Sequence, residues 1–194
     1  PSDRGELSRL PMQVIPHIYK PPSTTSDRNQ DLPELLPSVV AIGFFDGVHR
    51  GHREIFLIAR RVADRLGGLV RLITFLEHPS RFFRPDADFH YLSTVEEKLE
   101  ILKELGVDVI HLASFDQEVA NLGAWDFCKR ILVGEMNMRA LMVGHDFAMG
   151  KNRSGTVAVL TEYGKSLGFE TVPVSAVASD DGYPISSTRI RALV

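Results

Sequence analysis

The stretch SVVAIGFFDGVHRGHREIFLIARRVADRLGGLVRLITF, residues 38–75, decides the fold of this chain. Its apolar run at 39–42 reads as a buried strand. Ile55, Ile58, Ala59, Val62 and Leu66 then recur at helical spacing on one face, and 69–75 reads as the next strand. Outward from this unit the alternation continues. Ser93 with Glu96 has the spacing of a capping box before a helix that reaches Leu105. Apolar runs at 107–112, 140–143 and 170–174 supply further strands, with a helix near 124–133 between the first two. Strands alternating with helices imply a parallel sheet covered on both faces, an α/β doubly wound domain.

Ahead of this unit, residues 20–37 read KPPSTTSDRNQDLPELLP, a polar stretch rich in proline and serine that offers a core almost nothing to bury. It is expected to be a linker. Residues 12–19 could add a short edge strand, and 1–11 look like a loosely held tail. The domain is therefore expected over 38–194, with 1–37 as tail, edge strand and linker.

The 194 residues are 44% hydrophobic and 24% charged with a formal net charge of -3, which suits one ordinary globular domain and gives no general preference for nucleic acid or anionic lipid. A single cysteine, Cys128, cannot form an internal disulfide and fits a reducing, cytoplasmic setting. No apolar run approaches the roughly 20 residues that cross a bilayer.

In a doubly wound sheet ligands bind beyond the carboxyl ends of the strands, so the turn at 43–52, GFFDGVHRGH, is the informative one. Its glycines let the backbone approach an anion closely, and the following helix start presents unpaired N–H groups. His49 and His52, three positions apart, are expected to add positive charge there. The spacing is neither GxGxxG nor a P-loop. A zinc site on the two histidines lacks a third ligand. Asp46 suits either a turn or a place near the ligand. Ser187 has no nucleophile elbow around it, Cys128 suits packing, and Arg60 and Arg61 suit a solvated helix face. Trp125 reads as a core or rim residue, and His17, His90, His111 and His145 as surface or satisfied core residues.

The turn resembles the GxFDGxHxGH signature of the FAD synthetases, within the wider HxGH nucleotidyltransferases. Four more blocks resemble that family in the same order: TFLEHP at 74–79, EEKL at 96–99, VGHDFAMG at 143–150 and ISSTRIR at 185–191, the last similar to its SSTxIR segment. The resemblance implies a Rossmann-like sheet and the reaction of ATP with FMN to give FAD and pyrophosphate. It implies His49, His52 and Arg189 as catalytic residues. Gly43, Phe44, Phe45, Asp46, Gly47, Gly51, Ser186, Ser187, Thr188 and Arg191 would bind ATP, and His78, Pro79, Gly144, Asp146 and Phe147 would bind FMN. Magnesium is expected with ATP, and no protein ligand for it is evident. The chain departs from the pattern at Leu76 and Glu77, where Glu and Pro are usual, and at Ala148 and Met149, where Arg and Phe are usual. Family members often continue into a riboflavin kinase domain, which is absent from this sequence, so FMN is expected from such a domain or from another protein. Two alternatives are an HxGH enzyme with another phosphorylated acceptor and a flavin- or nucleotide-binding module without turnover.

Overall fold

Strands β1 (Gln13–Ile15), β2 (Ser38–Ile42), β3 (Leu69–Phe75), β4 (Val109–Ala113), β5 (Met138–Gly144) and β8 (Glu170–Val174) form one parallel sheet in the order β1, β4, β3, β2, β5, β8. A short antiparallel pair, β6 (Ala148–Met149) and β7 (Gly155–Thr156), stands beside it. The helices are α1 (Arg50–Leu66), α2 (Pro79–Phe83), α3 (Val95–Glu104), α4 (Gln117–Asn121), α5 (Ala124–Asp126, continued as a π-helix over Phe127–Glu135), α6 (Val157–Leu167) and α7 (Ser187–Arg191). This is the computed structural model of the chain, and it describes residues 12–15, 36–86 and 89–194.

The expected doubly wound α/β sheet is present, and side-chain alternation explains its two layers. Val39 and Ala41 of β2 face Phe56, Ala59, Val62 and Ala63 of α1 and Leu102 of α3. Val40 and Ile42 face Cys128, Ile131 and Leu132 of α5 and Leu160 of α6. With every residue of β2 and β3 buried, period 2 sorts side chains between two cores, and the strands are mainly apolar, with Ser38, Arg71 and Thr74 as their buried polar residues. β1 pairs with β4 at the edge. Residues 16–19 of the expected edge strand, residues 20–35 of the expected linker, the tail and His17 lie outside the described residues.

Several expectations shift. The capping box sits one residue later: Glu97 N donates to Thr94 Oγ1 at 3.1 Å, and Thr94 N donates to Glu97 Oε2 at 2.8 Å. Ser93 instead accepts from Gly47 N at 3.2 Å, so a tertiary contact takes the hydroxyl that the local pattern assigned to the cap. Leu66 is 41% exposed because α1 ends there at Gly67, past the edge of the core. Arg60 is no solvated residue: it pairs with Asp64 and Asp108 and donates to the carbonyls of Gly68 and Gly106, tying the end of α1 to β4. Arg61 is exposed, His90 and His145 are exposed, and His111 is buried in β4. The rim residue Trp125 packs edge-on against Tyr163 at 4.9 Å.

Candidate functional site

β3 and β4 lie on one side of β2, while β5 and β8 lie on the other. The order in which strands are added thus reverses between β2 and β5, the place where doubly wound parallel sheets open a crevice at their carboxyl edge. The turn that leaves β2 enters this crevice. It winds through a 3-10 turn, Asp46–Val48, with Phe45 at φ 55° and Val48 at φ 35°. A β-branched residue with positive φ is strained, and burial of both side chains against the core holds it there. Two glycines are required by space. A Cβ on Gly43 would stand 2.8 Å from the Phe45 ring, and one on Gly47, at φ 69°, would stand 2.9 Å from Leu92 Cβ.

The turn hands over to α1 at His49. His49 Nδ1 accepts from His52 N at 3.4 Å, the capping bond of the helix, and the two rings stack with centroids 3.6 Å apart. A neutral ring that accepts at Nδ1 carries its proton on Nε2. His52 also packs edge-on against Phe45, and its Nδ1 is buried with no hydrogen-bond partner among the described residues. Burial holds the pKa of both histidines below the ordinary 6.5, and for His52, with His49 and Lys98 nearby, pushes it down to about 3. The expected positive charge is therefore corrected: at neutral pH the ligand-free site presents two neutral imidazoles, because desolvation outweighs the pull of Asp46 on His49.

Asp46 is 3% exposed and uses both carboxylate oxygens. Oδ1 accepts from Leu92 N at 2.9 Å, and Oδ2 pairs with Arg191 Nη1 at 2.6 Å. Ser187 Oγ donates to the Asp46 carbonyl at 3.1 Å. The two motifs, some 140 positions apart in sequence, thus meet through one aspartate. Ser186 caps α7 by accepting from Arg189 N at 3.2 Å, and Thr188 Oγ1 accepts from Arg191 Nη2 at 3.5 Å. A Cβ on Gly51 would stand 3.7 Å from the carbonyl of Ile185, so the glycine sits where α1 passes the C-terminal segment. Arg189 faces away from Asp46: it donates to Ser179 Oγ at 2.7 Å and pairs with Asp181.

On the flavin side the expected residues fall into two places. His78 caps α2 after β3, with Pro79 as the first helical residue, and its ring stacks on Phe89 and meets Phe44 edge-on at 5.0 Å. Gly144 ends β5 and Asp146 and Phe147 follow it, on the other side of β2. Phe147 and Phe44 pack on the same core cluster, while Asp146 is exposed. A cavity of 410 Å³ lies between the segments that follow β2 and β3 and the start of α3, lined by Phe44, Asp46, Leu76, Tyr91 and Lys98 among others. The sequence reading missed this part. Phe89, Tyr91 and Leu92 lie in an irregular segment with no periodicity to mark them, and the signal for Lys98 was its place in the EEKL block. Arg191 stands 4.6 Å over the Phe89 ring, so the aromatic cluster also touches the C-terminal motif.

The sequence pattern of the FAD synthetase family matches residues 32–189, which include the first four blocks described above and the last as far as Arg189. The chain belongs to the FAD synthetase family. Among curated relatives, the bifunctional riboflavin kinase/FMN adenylyltransferases of Pseudomonas fluorescens and Escherichia coli strain K12 are 36% and 34% identical over 82% and 79% of this chain. That of Buchnera aphidicola is 30% identical over 79%. The chain spans about half the length of these relatives, 50%, 49% and 49%. A Streptococcus pneumoniae crystal structure described as a macrolide-efflux protein superposes with a TM-score of 0.75 at 28% identity, covering 94% of this chain and 56% of that one. Pantoate-beta-alanine ligase of Francisella tularensis, complexed with beta-gamma ATP and beta-alanine, shares the fold, with a TM-score of 0.57 at 15% identity over 93% of this chain and 73% of that one. Four of the five blocks meet directly, Lys98 reaching Phe44, Thr74 and Phe75 and the Ser187–Arg191 segment reaching Asp46, while the block at 143–150 lies at the end of β5. No described helix is long and apolar enough to cross a membrane.

Proposed function

We propose that the chain transfers the adenylyl group of ATP to FMN, giving FAD and pyrophosphate. The observation that supports this best is the meeting of His49 and His52 with the Ser187–Arg191 segment on one strained turn at the crevice. In this reading an FMN phosphate oxygen attacks the α-phosphorus in line. A P–O bond forms as the bond to the β-phosphate oxygen breaks, and pyrophosphate departs with the electron pair. Such a transfer needs no covalent nucleophile, and its barrier falls mainly through positioning and charge stabilisation. His49 Nε2–H donates to the phosphate oxygens, and a ring N–H of His52 donates beside it.

The backbone of residues 43–51 cradles ATP at the start of α1, with the hydroxyls of Ser186, Ser187 and Thr188 opposite. Arg189 and Arg191 take the departing pyrophosphate. Each is held by a carboxylate in the ligand-free chain, and a triphosphate carries more charge than the single carboxylate it displaces. FMN sits between the aromatic cluster at His78–Pro79 and the turn at Gly144, Asp146 and Phe147. Among the described residues no group of three or more His, Cys, Asp or Glu is placed to hold a metal ion, and both Asp46 oxygens are engaged. Magnesium is therefore expected to ride on the triphosphate and water, as this cation commonly does. The reaction fits a cytoplasmic setting rich in ATP, with FMN supplied by a riboflavin kinase domain or protein.

The purified chain, incubated with ATP, magnesium and either FMN or riboflavin, tests the reading by chromatography of the flavins and a pyrophosphate assay. FAD from FMN and none from riboflavin is the expected result. Binding of FMN and ATP without product would point to a non-catalytic module, and absence of flavin binding to another acceptor.

A further inference from the structure

Lys98 lies on α3, yet it is only 2% exposed. Its Nζ donates to the Phe44 carbonyl at 3.2 Å, to Thr74 Oγ1 at 3.4 Å and to the Phe75 carbonyl at 3.4 Å, three acceptors for the three hydrogens of an ammonium. Thr74 Oγ1 itself donates to the Phe44 carbonyl at 3.1 Å. The ammonium also stands 4.3 Å from the centroid of the Phe44 ring. Phe44 lies past the last paired residues of β2 and β3, Ile42 and Ile73, where the two chains part. Beyond Phe44 comes the strained turn through Phe45 and Val48 that ends at His49. Removing a lysine from water is unfavourable unless its hydrogens are satisfied, and here all three are spent on backbone and hydroxyl groups of two strand ends. Adenylyl transfer as written above leaves this charge without a chemical task.

We propose that Lys98 is a positioning residue for adenylyl transfer: its ammonium ties the carboxyl ends of β2 and β3 together and so fixes the turn that presents His49 and His52. The claim rests on the adenylyl-transfer reading for its effect on rate, and on the geometry alone for its effect on the turn. Burial pulls the Lys98 pKa down to about 8 against the opposing pull of Asp46. The other titratable groups around it are His52 on α1, His78 and Tyr91 in the aromatic cluster, and Glu97 on its own helix. Once the ammonium loses a proton, two hydrogens remain for three acceptors, so the tie loosens as the pH rises through about 8.

The test compares the wild type with Lys98→Met, which keeps the apolar stem, and Lys98→Arg, which keeps the charge at all working pH values. FAD formation is followed from pH 6.5 to 9.5, and histidine ring NMR spectra are recorded on the ligand-free proteins. The expected result is a kcat lowered by about 10- to 100-fold in Lys98→Met with KM for ATP within about threefold. A fall in wild-type kcat centred near pH 8 should be absent from Lys98→Arg. Lys98→Met retaining the wild-type kcat, or Lys98→Arg retaining the fall near pH 8, would overturn the proposal. If Lys98→Met does not fold, the pH comparison with Lys98→Arg decides. If the wild type forms no FAD, the function reading fails and the spectra decide on Lys98: shifted or broadened His49 and His52 signals in Lys98→Met, with near-native signals in Lys98→Arg, support the tie, and unchanged signals in Lys98→Met refute it.

Discussion

The burial of His52 ties the stability of the fold to pH on the acid side. Its ring is pressed between His49 and Phe45, and its folded pKa of about 3 lies well below the ordinary 6.5. Between those values the unfolded chain binds the proton and the folded chain does not, so stability rises with pH across the window. The contribution is complete above pH 6.5 and is lost as the pH falls toward 3. Urea midpoints between pH 7 and 4 should therefore fall less steeply in His52→Ala than in the wild type. On the adenylyl-transfer reading the same substitution should lower kcat by about 100- to 1,000-fold, the range for removal of one donor to a transition-state oxyanion. Loss of the Phe45 contact should lower stability at pH 7 by only about 1 kcal/mol, measured by urea unfolding. Equal activity in the variant would remove the histidines from the mechanism.

At the scale of elements, the C-terminal helix α7 is joined to the β2 turn by the Asp46–Arg191 pair and the Ser187 hydroxyl. Asp46→Asn keeps an oxygen for Leu92 N but removes the charge that holds Arg191. It should lower stability by about 2 kcal/mol, less than for a fully buried pair because Arg191 keeps some contact with water. Proteolysis should then release the C-terminal segment earlier than in the wild type, and an unchanged urea midpoint would show that the pair holds nothing together. The opposite layer offers a separate check. Cys128 is fully buried in the π-helical part of α5, and burial pushes its thiol up to about 12. The thiolate is the reactive form, so a thiol reagent at pH 8 should label the native protein far more slowly than the urea-unfolded protein. Comparable rates would mean that α5 opens readily. The helical character of this segment was legible from its apolar spacing. Its wider winding was not, since Met136 N reaches Ile131 O only once the helix has packed against the sheet.

For the molecule as a whole, the strand order separates two sets of residues that the motifs place side by side in name. His78 and Pro79 follow β3, Asp146 and Phe147 follow β5, and β2 with its strained turn lies between them. On the proposed reading, FMN spans these two places while ATP occupies the middle. Asp146→Ala should thus raise KM for FMN by about tenfold, the loss expected of one hydrogen bond to a ligand, with KM for ATP within about twofold. A larger change for ATP would put Asp146 on the nucleotide side. The substitution lies on an exposed residue after β5, so the unfolding midpoint should hardly move.

By itself the sequence determined the alternation of strands and helices, the two-faced burial of the sheet and the glycine-bearing turn after β2. Each of these follows from local spacing: 3.6-residue periodicity in α1, mainly apolar runs in β2 and β3, and the glycines at 43, 47 and 51 between them. Only the tertiary structure decided the charge state of His49 and His52, because desolvation depends on what the other elements bring over the rings. It also decided that Ser93 serves the Gly47 backbone rather than a helix cap, that Arg60 ties α1 to Asp108, and that Asp46 joins both ends of the site. Lys98 is the sharpest case. A lysine on a short amphipathic helix reads as a solvated residue until the fold supplies three acceptors, and those come from the turn after β2 and from β3, more than 20 positions away. Contacts of that separation leave no periodic trace in the chain, since they are set by the order in which the strands pair.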